Sequence, residues 1–164
     1  IDGLNWKIAD DGELIIKHPA VFKGYLHDES ATAKTVVDGW LHTGDVGVMD
    51  ARGYLRITDR LKDMFITGGF NCYPAEIESI LLGCPGVGQV AVIGVPDERL
   101  GEVAMAFVVP QPGAAPTAAT VIAWSRENMA NYKAPRRVAI VDALPLNATG
   151  KVTKFVLREH PAAR

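Results

Sequence analysis

Two regimes of hydrophobic patterning divide the chain near Lys62. Upstream, apolar runs are short and interrupted. Glu13-Leu14-Ile15-Ile16-Lys17 follows the turn Asp10-Asp11-Gly12 and predicts a strand. Tyr54 to Thr58 alternates after Arg52-Gly53, placing Leu55 and Ile57 on one face of a second strand. Between them, Asp28 to Val37 predicts one helical stretch, because Ala31 to Lys34 are good helix formers. Asp38-Gly39, Gly44-Asp45 and Gly47 read as turns. This region is rich in loops and lacks the apolar content for an independent core, so it reads as the edge of a larger domain.

Downstream the pattern strengthens. Met64 to Thr67 predicts a short strand ending at Gly68-Gly69. Pro74-Ala75-Glu76 opens a helix, with proline suited to the first turn and the carboxylate to the positive end. Ile77, Ile80 and Leu81 recur at helical spacing, and Gly83 stops the helix. Gln89 to Val95 and Val103 to Val109 are almost continuously apolar, the mark of buried strands, with a turn beginning at Pro96-Asp97-Glu98. Gly113 to Thr117 is a loop, followed by a helix over Thr117 to Met129, a strand over Arg137 to Val141, an irregular loop over Leu144 to Gly150 and a closing helix over Lys154 to Glu159. Strand, helix, strand, strand, helix, strand, helix suits a small α+β sandwich with helices on one or both faces of its sheet.

Composition narrows the function classes. The 164 residues are 48% hydrophobic and 22% charged, with a formal net charge of −2, so nothing points to a nucleic-acid partner. No apolar run reaches the length of a membrane span. Ile1-Asp2-Gly3-Leu4-Asn5 has neither the charge pattern of a signal peptide nor an initiator Met, so the chain reads as cut from something longer. Cys72 and Cys84 form no disulfide framework or zinc set and suit reduced thiols in a cytoplasmic protein. His18, His27, His42 and His160 lie far apart, and no metal site is proposed on them.

Five features carry candidate chemistry, each with a plainer alternative. In His42-Thr43-Gly44-Asp45, the aspartate oxygens suit a pair of vicinal hydroxyls, although Gly-Asp is also ordinary turn chemistry. Asp59-Arg60-Leu61-Lys62-Asp63 is either a solvated connector or a charged hinge, and the compositional shift falls on the same spot. Gly68-Gly69 is a hairpin turn or a close approach to a narrow ligand, and the two are compatible. Pro145-Leu146-Asn147-Ala148-Thr149-Gly150-Lys151 superficially matches a phosphate-binding loop, but Pro145 replaces the first glycine and Val152 the metal-binding hydroxyl. What remains is a lysine on a glycine-hinged loop: a surface cation, or a point charge suited to an anionic transition state. Arg126, Lys133, Arg136 and Arg137 form a local basic cluster, either a solvated face or a phosphate contact.

The order and spacing of these stretches resemble the adenylate-forming superfamily, in particular its acyl-CoA synthetases. The resemblance runs through Gly12-Glu13-Leu14, Gly24-Tyr25, Asp38 to Asp45, Gly53-Tyr54-Leu55, Asp59 to Asp63, Gly68 to Glu78, Gly94 to Glu98, Tyr132 to Arg136, and Leu144 to Val152. It implies a division of the chain: residues 1–61 end a large N-terminal domain as a β-rich piece, and residues 62–164 form the mobile C-terminal α/β sandwich domain, with the hinge at Lys62. It also implies a two-step reaction. A carboxylic acid and ATP, with magnesium, give an acyl-adenylate and pyrophosphate; coenzyme A then takes the acyl group and AMP leaves. The small domain swings between the steps.

By position, the resemblance assigns Asp45 and Arg60 to the ribose of the nucleotide, Lys62 to the hinge, and Lys151 to the bridge between carboxylate and α-phosphate. It assigns Gly68 and Gly69 to the pantetheine tunnel, and Lys133, Arg136 and Arg137 to the phosphates of coenzyme A. Leu146 departs from a commonly basic position and Leu100 from a common tryptophan. The loop gripping the ATP phosphates, the magnesium-supporting motif and the acyl pocket belong upstream of Ile1, so magnesium is expected to be held mainly there. The expected partners are therefore the acid, ATP, coenzyme A and the protein's own N-terminal domain, and the piece alone is expected to be inactive. Rival expectations are a non-catalytic binding domain and an adenylation domain that loads a carrier protein.

Overall fold

The computed structural model describes residues 3–163. The chain divides into two compact units, Ile1–Lys62 and Asp63–Arg164.

The first unit is built on an antiparallel sheet of five strands: β1 (Asn5–Ile8), β2 (Glu13–Lys17), β3 (Val36–Val37), β4 (Trp40–Met49) and β5 (Leu55–Arg60). The ten-residue β4 is central. It pairs with β2 along one edge, and β3 and β5 also pair with it. A helix, α1 (Glu29–Thr35), is capped by Asp28, whose side chain accepts the Ala31 N–H. Asp38-Gly39 makes the two-residue turn from β3 to β4, since Val37 pairs with Trp40.

Gly44-Asp45 and Gly47, read from sequence as turns, lie inside β4 instead. The physical reason is pairing on either side of the glycines: β2 pairs with His42 and Val46, β5 pairs with Asp45, Val46 and Gly47, and a register shift in each ladder absorbs the irregularity that the glycines introduce. β1 also escaped the sequence pattern, because its burial is slight along its whole length. Among the described residues of this unit only Ile15 and Val46 are buried apolar side chains, while Leu26 is 86% exposed. Leu55 and Ile57 share a face as the alternation predicted, but that face is open to solvent.

The second unit has a mixed sheet centred on β9 (Gly101–Pro110). Its neighbour β8 (Val87–Asp97) pairs along its full length, antiparallel. β10 (Arg137–Ile140) pairs with β9 in parallel, and β6 (Phe65–Thr67) pairs with it at Gly101, carrying β7 (Phe70–Cys72) outside. The apolar runs of β8 and β9 are continuous because both faces are covered. Alternate residues Ala104, Ala106 and Val108 pack with Ile77, Leu81 and Val121, beneath α2 (Pro74–Leu81) and α3 (Ala118–Asn128). The intervening Val103, Met105 and Phe107 pack with Leu144, Leu157 and Ala163, beneath α4 (Lys154–Glu159) and a final 3₁₀ turn, Pro161–Ala163.

This is the α+β sandwich expected from sequence, with helices on both faces. Thr117 caps α3 in a reciprocal capping box with Thr120. Gly94 on β8 leaves room for Phe65: a Cβ built there would lie 2.5 Å from the Phe65 Cβ.

Candidate functional site

In the first unit, β4 and β5 set Asp45 and Arg60 directly opposite each other. The Arg60 Nε stands 3.8 Å from the Asp45 Oδ1, with the two side chains 57% and 41% exposed. A pair this loose and wet contributes well under about 1 kcal/mol. Its consequence is spatial: a carboxylate and a guanidinium open together on a groove lined by Thr43, Gly44, Asp45, Arg60, Leu61 and Lys62.

The backbone leading to Asp45 is held from below by Glu13, a residue to which sequence reasoning gave no role. Glu13 is 4% exposed. Its Oε1 accepts the Gly44 N–H at 2.7 Å and its Oε2 meets His42 Nδ1 at 2.6 Å. Hydrogen bonds to both of its oxygens offset the cost of burying this polar side chain. Thr43 Oγ1 donates to the Leu14 carbonyl at 2.6 Å and accepts the Asp45 N–H at 3.2 Å. The strip from His42 to Asp45 is therefore pinned to β2 on two successive residues. No pattern in a single sequence links Glu13 to His42, which lie 29 positions apart.

Lys62 lies exposed in a one-turn 3₁₀ segment, Leu61–Asp63, at the boundary of the two units. The charged stretch Asp59 to Asp63 is thus split between the end of β5 and this turn.

In the second unit, Gly68 and Gly69 join β6 to β7 as a two-residue hairpin, with φ of 56° and 89°. Paired positive φ values identify a type I′ turn, which glycine adopts without strain. A Cβ on Gly69 would meet nothing, while one on Gly68 would touch Leu100 at 3.3 Å. Leu100 therefore shields one glycine, and the other faces open space.

The basic residues are dispersed rather than gathered. Lys133 Nζ binds Glu76 Oε1 at 2.6 Å, beside the stacked rings of Phe70 and Tyr132. Burial opposes the Lys133 charge, but the hydrogen bond and charge of Glu76 outweigh it and hold the pKa above the ordinary lysine value. Arg136 donates its backbone N–H to the Ala104 carbonyl. Arg137 lines a groove with Pro96, Asp97, Glu98 and Arg99. Arg126 lies exposed in the last turn of α3. Cys72 is fully buried, and desolvation pushes its thiol pKa above the ordinary value.

Lys151 is exposed on a loop between β10 and α4, just before the Leu146–Val152 bridge partner. No described residue forms an ion pair with its ammonium. Among the described residues, no three His, Cys, Asp or Glu side chains come together to hold a metal ion. No described helix is long and apolar enough to cross a membrane.

Residues 76–151 match the model of the AMP-binding enzyme C-terminal domain. The chain is 60% identical over 154 residues to the 7a-methyl-1,5-dioxo-octahydro-1H-inden-4-yl propanoyl:CoA ligase of Mycobacterium tuberculosis, covering 93% of this chain and 30% of that protein. It is 46% identical over 153 residues to the long-chain-fatty-acid–CoA ligase FadD13 of the same species, covering 93% of this chain and 30% of FadD13. The chain thus spans about a third of the length of the curated relatives it matches. Among solved structures it resembles ATP-bound MatB from Rhodopseudomonas palustris, with a TM-score of 0.88 and 42% identity over 97% of this chain and 34% of that one. The chain belongs to the adenylate-forming, AMP-binding enzyme superfamily and carries its C-terminal domain.

Proposed function

We propose that this chain is the C-terminal part of an ATP-dependent carboxylate–CoA ligase acting on a fatty or other lipid-derived acid. The observation that carries the reading is an exposed, unpaired Lys151 on a loop of the small sandwich, in a chain whose 60% and 46% identical relatives are both CoA ligases. The ring-bearing and long-chain acids in the names of those relatives support a lipid-derived substrate. They also favour coenzyme A over a carrier protein as the acyl acceptor.

In the first half-reaction the substrate carboxylate oxygen attacks the α-phosphorus of ATP, and the bond to pyrophosphate breaks. Two anions must approach, and the Lys151 ammonium lowers their repulsion as charge builds on the phosphorus. Asp45 accepts hydrogen bonds from the two ribose hydroxyls, one per oxygen, with Arg60 beside it. In the second half-reaction the thiolate sulfur of coenzyme A attacks the acyl carbon, the bond to the AMP oxygen breaks, and AMP leaves. Gly68 and Gly69 line the pantetheine path, where the bare Gly69 surface permits close approach. Lys133, Arg136 and Arg137 are weaker candidates for the phosphates of coenzyme A, since Lys133 already neutralises Glu76. Lys62 is the hinge between the steps.

The first unit has almost no buried apolar side chains of its own, which supports its place at the rim of a larger, ATP-gripping domain. The 164 residues alone are accordingly inactive. A pyrophosphate-release assay tests this. The isolated chain is expected to release none with any acid, and the intact protein is expected to release it in an acid-dependent manner and to form a CoA thioester. Turnover by the isolated chain contradicts the reading.

A further inference from the structure

None of the roles above uses Asn147, yet it is the hub of the loop that carries Lys151. Its Oδ1 accepts three hydrogen bonds: from the Thr149 N–H at 3.0 Å, the Thr149 hydroxyl at 2.8 Å and the Lys151 N–H at 2.9 Å. Its own N–H donates to the Lys151 carbonyl at 2.9 Å, and its carbonyl accepts the Gly150 N–H at 3.0 Å. Both backbone polar groups of Lys151 are thus bonded to Asn147. Outside this ring, Leu146 and Val152 form an antiparallel bridge, and the Thr153 N–H donates to the Pro145 carbonyl at 2.8 Å.

The loop is also tied to the sandwich on its C-terminal side. Lys154 Nζ pairs with Glu78 Oε1 at 2.9 Å, the same oxygen that accepts the Val92 N–H at 2.8 Å. Leu157, one turn on, is 3% exposed within the core. The ammonium of Lys151 is therefore free at the end of a flexible stem, while the stem's root is fixed.

We propose that Asn147 is a positioning residue that holds the Lys151 backbone in the register from which its ammonium serves adenylation. This inference rests on the role given to Lys151 above. Asn147 is exposed, so water replaces its hydrogen bonds when it is removed, and global stability changes little. The loop, however, loses the acceptor that selects one conformation, and catalysis is sensitive to placement errors on the ångström scale.

The test is a comparison of half-reactions in the intact protein that carries this sequence. Asn147→Ala is expected to slow acyl-adenylate formation by about ten- to a hundredfold. It is expected to leave thioester formation from supplied acyl-adenylate within about twofold of wild type, with KM for ATP and the unfolding midpoint unmoved. Asn147→Thr, whose hydroxyl accepts the same bonds more weakly, is expected to recover part of the loss. An adenylation rate for Asn147→Ala within about twofold of wild type overturns the proposal, as does an equal fall in both half-reactions. Lys151→Ala in the same assay separates the two ideas. If it abolishes adenylation while Asn147→Ala does not impair it, only the positioning role fails. If Lys151→Ala itself leaves adenylation intact, the underlying role of Lys151 fails.

Discussion

At the scale of single residues, the account depends on where charges are held and where they are left open. Asp45 keeps its oxygens at a groove with only a loose partner in Arg60. Removing two hydrogen bonds from a charged acceptor to a ribose costs enough that Asp45→Ala should raise KM for ATP about tenfold or more. An unchanged KM in steady-state assays of the intact protein contradicts the assignment. Lys133 has its pKa raised by Glu76 against the effect of burial. A raised folded-state pKa contributes stability that is fully present below the ordinary lysine value and is lost as pH climbs through the folded one. Cys72, raised by desolvation, acts in the same direction from a lower starting value, ordinarily 9.0. Denaturant unfolding should therefore show stability falling above about pH 9, with a smaller fall in Lys133→Met at the alkaline end. A stability that rises over that range contradicts both signs. The stretches holding Asp45, Lys62 and Lys151 stand out in the sequence by their glycines and charges, but the roles proposed for them come from the order of those stretches along the chain and the family resemblance it carries. Glu13 and Asn147 do not stand out: a buried acid meeting a histidine across strands, and a side chain bonding its own loop, are facts of folded geometry.

At the scale of elements, the two hydrophobic regimes explain which strands the sequence reveals. The middles of β8 and β9 are buried on both faces by α2, α3 and α4, so their apolar runs are nearly continuous and the signal is plain. β4 has glycines and an aspartate in its middle and is a strand because its neighbours pair with it on both edges. Local propensity there says turn, and tertiary pairing prevails. β5 shows the opposite case: its alternation is genuine, but the apolar face of Leu55 and Ile57 lacks cover within the described unit. Gly94 of β8 fits closely against Phe65 of β6. Gly94→Ala forces its Cβ onto that ring and should cost about 1–3 kcal/mol, read as a lowered denaturation midpoint of the second unit. A neutral effect would mean that β6 shifts freely, contrary to its place in the core. The sequence reading began this helix at Thr117, and in the structure Thr117 is the cap of α3, in a reciprocal box with Thr120.

At the scale of the whole molecule, the described residues of the second unit form two buried apolar clusters and those of the first bury only Ile15 and Val46, with the boundary after Lys62. The change in hydrophobic patterning marks the same region of the chain. Lys62→Pro fixes one backbone torsion at the boundary and removes an N–H. On the hinge reading it should slow thioester formation more than adenylation, and equal rates for wild type and variant in the second half-reaction contradict it. The most direct measurement concerns Lys151, assayed in the intact protein by the two half-reactions separately. Lys151→Ala should eliminate acid-dependent pyrophosphate formation while acyl-adenylate supplied from outside is still converted to thioester at the wild-type rate. Loss of both half-reactions together, or of neither, contradicts the central claim.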